Sequence, residues 1–483
     1  MSRTAWHPTK SNMTHVNKPH AAAMGGGSGR PVRRVPAFTT IALALMMMAI
    51  DSTIVATALH TLQHDLGASV NWAGWTITAY SFGFVLMLPI SGKLSTQYGR
   101  RKVFLGSVIA FTAASLLCGM SSNIYELVAL RAVQAAGGAG FTPSATGIIV
   151  DYFGKERDRA VSLFGSIFPI GAMIGPIFGG LFVTYWTWRG IFFVNVPIGV
   201  AVIVMTLRYI PRDAAPPPGS RTKTDTTGLG LLGCGLLAGM LAISYLGEPD
   251  ARMDSPLFLA SLVIVAGALW AFLRHIKRTE YPYIAPHLIF GKGFGTVNVI
   301  NAVYGGVRSG VVALLPLYAT NRYGIDALSS GTLLIAQGIA TIILSVTAAL
   351  MIRRTGYRRP LYFGGVVVAA GTLLLAVSPT AGISPYVWLA GAAFLVGAGS
   401  GALNPASRNA GLQLAPDQSS TLAALRTMFL QFGQIATISI AAAILTGSNN
   451  PGGTQAWVYV AIAALLAVSL FIIPRVPEHR GSW

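Results

Sequence analysis

Apolar runs, each about the length needed to cross a bilayer, recur from residue 37 to residue 474 with only short polar stretches between them. A transmembrane helix needs about 20 mainly apolar residues, because the hydrocarbon core is about 30 Å thick and a helix rises about 1.5 Å per residue. We read fourteen runs: 37–60, 72–93, 102–120, 124–150, 158–183, 191–209, 228–246, 256–274, 293–320, 329–352, 360–378, 386–410, 421–446 and 455–474. In lipid, every backbone N–H and C=O must be satisfied within the protein, so continuous runs of this kind are helices. Composition agrees: 53% of the 483 residues are hydrophobic and 10% charged, against about 25% charged in soluble domains. The expected fold class is an all-α membrane protein with fourteen transmembrane helices.

The net charge of +19 would suit nucleic acid in a soluble chain. Here the basic residues recur in short clusters between apolar runs, so lipid is the expected surroundings and no nucleic-acid partner is expected. With the N-terminus placed in the cytoplasm, the inner segments carry 28 of the 34 Lys and Arg. The outer segments carry three (Arg189, Arg252, Arg322), and three fall inside spans (Arg131, Arg308, Arg426). Adding or dropping one mid-chain helix would destroy that split. An even count with both termini cytoplasmic, in a multi-pass cell-membrane protein, follows. Residues 1–36 read as a disordered cytoplasmic tail, 211–227 as a cytoplasmic linker and 475–483 as a second tail. Cys118 and Cys234 lie in apolar runs and read as small buried hydrophobes, with no metal site expected.

Three features recur at nearly one offset. Gly99-Arg100-Arg101-Lys102 resembles Gly356-Tyr357-Arg358-Arg359, with the Arg pairs offset by 258. Asp51 in the first span has Arg308 in the ninth as counterpart, offset by 257, and Pro143 in the fourth has Pro405 in the twelfth, offset by 262. A duplicated six-helix unit explains this: halves at 37–210 and 293–474, with helices 7 and 8 (228–274) inserted between them. Transporters built on repeats place substrate between the halves near the bilayer midplane.

Ionisable residues inside spans are costly in lipid and mark function by default. Asp51 is the one acid placed in the interior of a span. Arg131 in helix 4 lies at similar depth, so an ion pair between them is plausible on sequence grounds alone, as is a pair between Asp51 and Arg308. Tyr304, Asn298, Asn301, Asn404, Gln134, Gln431, Arg426 and Arg308 are candidate cavity residues.

Four stretches carry a family resemblance. Ala49-Ile50-Asp51-Ser52-Thr53-Ile54-Val55-Ala56-Thr57 resembles the helix 1 signature of the fourteen-helix drug:proton antiporter family of the major facilitator superfamily. Leu127-x-x-x-Arg131-x-x-Gln134 is similar to its helix 4 motif. In helix 5, Gly171-x-x-x-Gly175-Pro176-x-x-Gly179-Gly180 is similar to the antiporter motif, where small residues let another helix approach and Pro permits a bend. Gly92-Lys93-Leu94-Ser95-Thr96-Gln97-Tyr98-Gly99-Arg100-Arg101-Lys102 resembles the loop between helices 2 and 3, except that Thr96 stands where the family has Asp.

The resemblance implies two six-helix halves plus two inserted helices. It implies proton coupling through Asp51 and Arg131, packing and gating by Gly92, Gly99, Arg100, Arg101 and the helix 5 glycines, and no cofactor beyond the proton gradient. It points to a monomer that exports hydrophobic or amphiphilic compounds by alternating access. An exporter of a native lipid or lipid-like metabolite is the first alternative, and a non-transporting receptor the second. An enzyme would need a catalytic cluster, and the chain has no HExxH, GxSxG or phosphate-binding loop after a strand.

Overall fold

The computed structural model describes residues 33–68, 70–213, 225–246, 252, 254–291, 293–325, 327–379, 382–446 and 448–478. Most of the expected tails and of the 211–227 linker therefore lie outside the described residues. All fourteen expected segments are helical. The first half comprises α1 (Arg34–Asp65), α2 (Val70–Tyr98), α3 (Arg100–Met120), α4 (Ile124–Gly138 and Phe141–Tyr152), α5 (Arg157–Tyr185) and α6 (Gly190–Phe193 and Asn195–Tyr209). The inserted pair is α7 (Thr226–Leu246) and α8 (Pro256–Ile276). The second half comprises α9 (residues 294–323), α10 (Ala327–Thr355), α11 (Arg358–Ala376), α12 (Pro385–Leu412), α13 (Ser419–Thr446) and α14 (Pro451–Ser469, extended by Leu470–Arg475). Among the described residues nine helices are long and apolar enough to span on their own, and the bent α9 makes a tenth.

Proline accounts for the interruptions. A proline ring clashes with the carbonyl four residues earlier and removes one helical donor. Pro143 acts at Ala139, where α4 breaks; Pro197 acts at Phe193, where α6 breaks; Pro316 acts at Val312, two residues before the break in α9. The sequence predicts an unbroken ninth span, but α9 also passes through a π-helical turn at Asn301–Val307. That widened turn ends where Arg308 begins.

Two large apolar cores lie in the bundle, and the first extends from the first half into α13 through Leu422, Leu425 and Met428. It is centred on residues such as Leu45, Phe111 and Phe164, the other on Tyr318, Leu389 and Tyr459. Large side chains such as Val263 (71% exposed) and Phe471 (82% exposed) face outward. Exposed apolar surface on that scale is the lipid-facing girdle of a membrane protein. The halves meet through α13 against α2 and α4, and through α10 against α5. At the end of the bundle that carries the basic clusters, the basic face, two polar contacts also join the halves. There Ser95 Oγ and Ser420 Oγ are 3.2 Å apart, and Asn409 Nδ2 donates to Ser162 Oγ at 2.9 Å.

The repeat is visible as a shared capping device. The turns before α3 and α11 run through Gly99 (φ +106°) and Gly356 (φ +70°). Asp213, after α6, accepts from the backbone N–H of Arg101 and Lys102, both at 2.9 Å. Glu478, after α14, accepts from the backbone N–H of Tyr357 at 2.7 Å and of Arg358 at 3.3 Å. In each half a carboxylate beyond the last helix thus satisfies donors at the start of the third, where the helix dipole favours negative charge.

The inserted pair packs at the periphery. α7 contacts α8 and α2, and the Tyr283 hydroxyl donates to Leu86 O of α2 at 2.8 Å. The apolar stretch of α8 is only 11% buried.

Candidate functional site

Asp51 occupies the middle of α1 and is wholly buried. Arg131 Nη1 of α4 reaches Asp51 Oδ2 at 2.8 Å. Gln134 Nε2 and Asn195 Nδ2 donate to Oδ1 at 2.9 and 2.8 Å. Arg131 and Gln134 share one face of α4 because they are three residues apart, and Arg131 Nη1 also donates to Gln134 Oε1 at 2.6 Å. The guanidinium lies over the Tyr80 ring, 4.2 Å from its centroid. A lone buried ion is strongly unfavourable, so removing either charge leaves the other uncompensated. The carboxylate therefore joins α1, α4 and α6 in one polar knot inside the first half.

This geometry corrects two expectations. Arg308 is not the partner of Asp51, whose two oxygens are held by Arg131, Gln134 and Asn195, all from the first half. Gln134 belongs to this knot, not to a cavity, and its amide also donates to Ser115 Oγ at 2.7 Å.

The α5 glycines seat the helix that carries Asp51. A Cβ on Gly171 would collide with the side chain of Ala49, and one on Gly175 with the Thr53 hydroxyl. Small residues thus let α1 and α5 touch along residues 49–53, one turn around the carboxylate. Gly179 is buried, while a Cβ on Gly180 would meet open space. Pro176 lies within α5, and its side chain lies outside the described residues.

At the basic face, a Cβ on Gly92 would come within 2.9–3.0 Å of Ala424, Ser420 and Thr421 of α13, so this glycine permits close contact between halves. Arg100 Nη1 pairs with Asp151 Oδ1 at 2.7 Å and also contacts the Gly147 carbonyl, fastening α3 to α4. Arg101 Nη2 donates to Leu207 O at 2.9 Å. Thr96 bonds the Gly92 carbonyl of its own helix at 3.2 Å, so no carboxylate stands at that position of the contact between halves.

In the second half, Asn298, Asn301 and Arg426 line a pocket between the halves, together with Thr142, Ser407 and Arg408. Asn404 Oδ1 accepts from Arg426 Nη2 at 3.0 Å and from Arg408 Nε at 3.3 Å. Tyr304 does not line this pocket: its hydroxyl donates to Leu466 O at 3.0 Å and accepts from Ser469 Oγ at 2.7 Å, buried against α14. Gln431 is half-buried one turn beyond Thr427 and outside the pocket lining. Arg308 is half-buried just after the π turn.

Sequence reasoning missed two residues. Charge counting places Arg408 with the inner basic residues, although it falls inside the twelfth apolar run. Asn195, at the start of helix 6, has no site role in the sequence reading, although an amide in an apolar span is itself a signal. Among the described residues no group of three or more His, Cys, Asp and Glu gathers to hold a metal ion.

The Major Facilitator Superfamily family model matches residues 41–228 and 297–482. A Multidrug resistance protein B homolog of Mycobacterium tuberculosis is 30% identical over 413 residues, covering 84% of this chain and 75% of that protein. The Multidrug transporter protein MdtP of Bacillus subtilis is 30% identical over 348 residues, covering 72% of this chain but only 63% of the relative's own length. A Putative multidrug resistance protein MdtD of Cronobacter sakazakii is 27% identical over 91% of this chain and 94% of its own. Among solved structures, the human organic anion transporter MFSD10 superposes with a TM-score of 0.66 at 14% identity, covering 91% of this chain and 99% of its own. The proton:xylose symporter XylE gives 0.64 at 13%, covering 92% and 96%. At such identities these two speak for the fold alone.

Proposed function

The chain belongs to the major facilitator superfamily, and on that premise we propose that it is a proton-coupled secondary transporter that exports hydrophobic or amphiphilic compounds by alternating access. The names of its multidrug-transporter relatives support the substrate class. The carrying observation is the buried Asp51–Arg131 pair, seated where the α5 glycines grip α1.

A proton reaching Asp51 neutralises the partner of Arg131. The guanidinium is then an uncompensated buried charge, and the arrangement of α1, α4 and α6 that suited the ion pair no longer does. Any movement of α1 is transmitted to α5 through Gly171 and Gly175, and α5 is one of the helices packed on the second half through α10. Protonation thereby biases the rocking of one half against the other around the shared pocket. In this reading the basic face is cytoplasmic, protons enter from the opposite side of a cell membrane, and the protein works as a monomer.

The test is transport in proteoliposomes with an imposed pH gradient and matched cationic, neutral and anionic amphiphiles. Gradient-dependent movement of at least one of them is expected. Transport of none, by protein that binds them, would overturn the reading.

A further inference from the structure

The second half contains a polar centre of the opposite sign to Asp51. Arg408 and Arg426 share a single amide oxygen, that of Asn404, and Arg426 Nη2 also donates to Ser407 Oγ at 3.2 Å. Arg408 and Arg426 are both half-buried and line the same pocket. Among the described residues, no ion pair joins a carboxylate to Arg408 or Arg426. Like charges held close together in a half-buried pocket repel unless an anion joins them.

The pocket beside them holds unmet hydrogen-bonding capacity. Arg426 Nε, both amide atoms of Asn301 and the Thr142 hydroxyl are buried without a partner. Asn301 is 1% exposed and Thr142 5% exposed. All three residues line the same pocket, from α13, α9 and α4. Buried polar atoms in native proteins almost always find partners. Several unpartnered atoms converging from both halves on one pocket therefore mark a place where a ligand completes the bonding. Val161, Val297, Leu412 and Leu422 supply apolar wall beside them.

We propose that this pocket binds the oxyanion head of an amphiphile, a carboxylate or phosphate carried on an apolar body. Guanidinium groups present forked donors that match an oxyanion's two oxygens, which a lysine ammonium cannot do. Asn301 and Thr142 add buried donors from α9 and α4, and the aliphatic wall receives the apolar body. Because the lining comes from both halves, an occupant also ties them together. The proposal rests on the exporter reading for its substrate role, but binding itself does not require transport.

The test uses the full chain in phosphatidylcholine nanodiscs, titrated with laurate, dodecyl phosphate and dodecylamine. Laurate and dodecyl phosphate are expected to bind at least tenfold more tightly than dodecylamine. Arg426→Gln and Arg408→Gln should each weaken the acids at least tenfold and leave the amine unchanged. Arg426→Lys, which keeps the charge and loses the fork, should recover part of the loss. Asn301→Leu tests the site through a residue that carries no charge, and it too should weaken the acids. A second arm replaces part of the phosphatidylcholine with phosphatidylglycerol. Displacement of laurate would name a lipid headgroup as the source, and undisturbed laurate binding would name a small acid. Equal affinity for acid and amine, or acid affinity unchanged in Arg426→Gln and Asn301→Leu, would overturn the proposal. Acid binding with these sensitivities in a protein that shows no gradient-driven transport would uphold the site and overturn the exporter reading.

Discussion

Arg131 donates to Asp51 across 2.8 Å, and the two residues, 80 positions apart in sequence, are 1% and 0% exposed. Two helices of the first half are held together by opposite charges that solvent does not reach. The pair makes α1 a helix whose seating depends on charge, and α1 rests on glycines that leave no room for adjustment.

The α5 glycines should therefore be intolerant of bulk. A Cβ at Gly175 would collide with the Thr53 hydroxyl and approach Ile50 O to 3.0 Å. Overpacking of this kind costs about 1–3 kcal/mol. Gly175→Val is expected to lower the thermal unfolding midpoint in detergent and to abolish transport, while Gly180→Ala, which would meet open space, should match the wild type.

Gly99 should be sensitive for a different reason. Its φ of +106° is a conformation that L-residues rarely adopt, and a Cβ there would strike the Asp213 carboxylate that caps α3. Backbone strain of this type costs about 1–3 kcal/mol. Gly99→Ala should reduce the unfolding midpoint and loosen α3, read as faster amide exchange at Arg101 and Lys102.

Asp225, just ahead of α7, organises the inserted pair. It accepts from Gly228 N at 2.8 Å, Tyr283 N at 2.9 Å and the His275 ring at 2.8 Å. Burial pushes its carboxyl upward, but the Gly228 N–H, His275 and the Tyr283 N–H outweigh it and leave the pKa below the ordinary value. A depressed folded pKa stabilises the protein above the unfolded value of about 3.9 and loses that stabilisation as pH falls through the folded value. Asp225→Asn should thus lower the unfolding midpoint at neutral pH. The gap to the wild type should be present at neutral pH and close as pH falls below about 4, where the carboxyl protonates. A gap that persists at the acid end would refute this role.

The fourteen segments were legible because each is a long apolar run. Asp51 facing Arg131 was legible too, since counting along two antiparallel helices gives depth. What could not be read was rotation. Tyr304 and Asn301 are three residues apart in one span, yet Tyr304 bonds to α14 while Asn301 faces the pocket. A π turn over those same residues shifts the face that each presents, and no periodicity in the sequence announces it. The sequence suggests a cavity position for Gln134, a polar side chain in a span, but its amide is bound to the carboxylate of Asp51. Pairings across long separations, such as Asp213 with the start of α3 and Glu478 with the start of α11, depend on tertiary closure and leave no local mark.

The central claim is that charge on Asp51 couples proton movement to rocking of the halves. Its most direct test measures movement of a fluorescent amphiphile in proteoliposomes containing the wild type or Asp51→Asn. Each is assayed with an imposed pH gradient and as exchange at equal pH. The wild type should respond to the gradient. Asp51→Asn should keep exchange and lose the response to the gradient. Gradient-driven transport by Asp51→Asn at the wild-type rate would contradict the account.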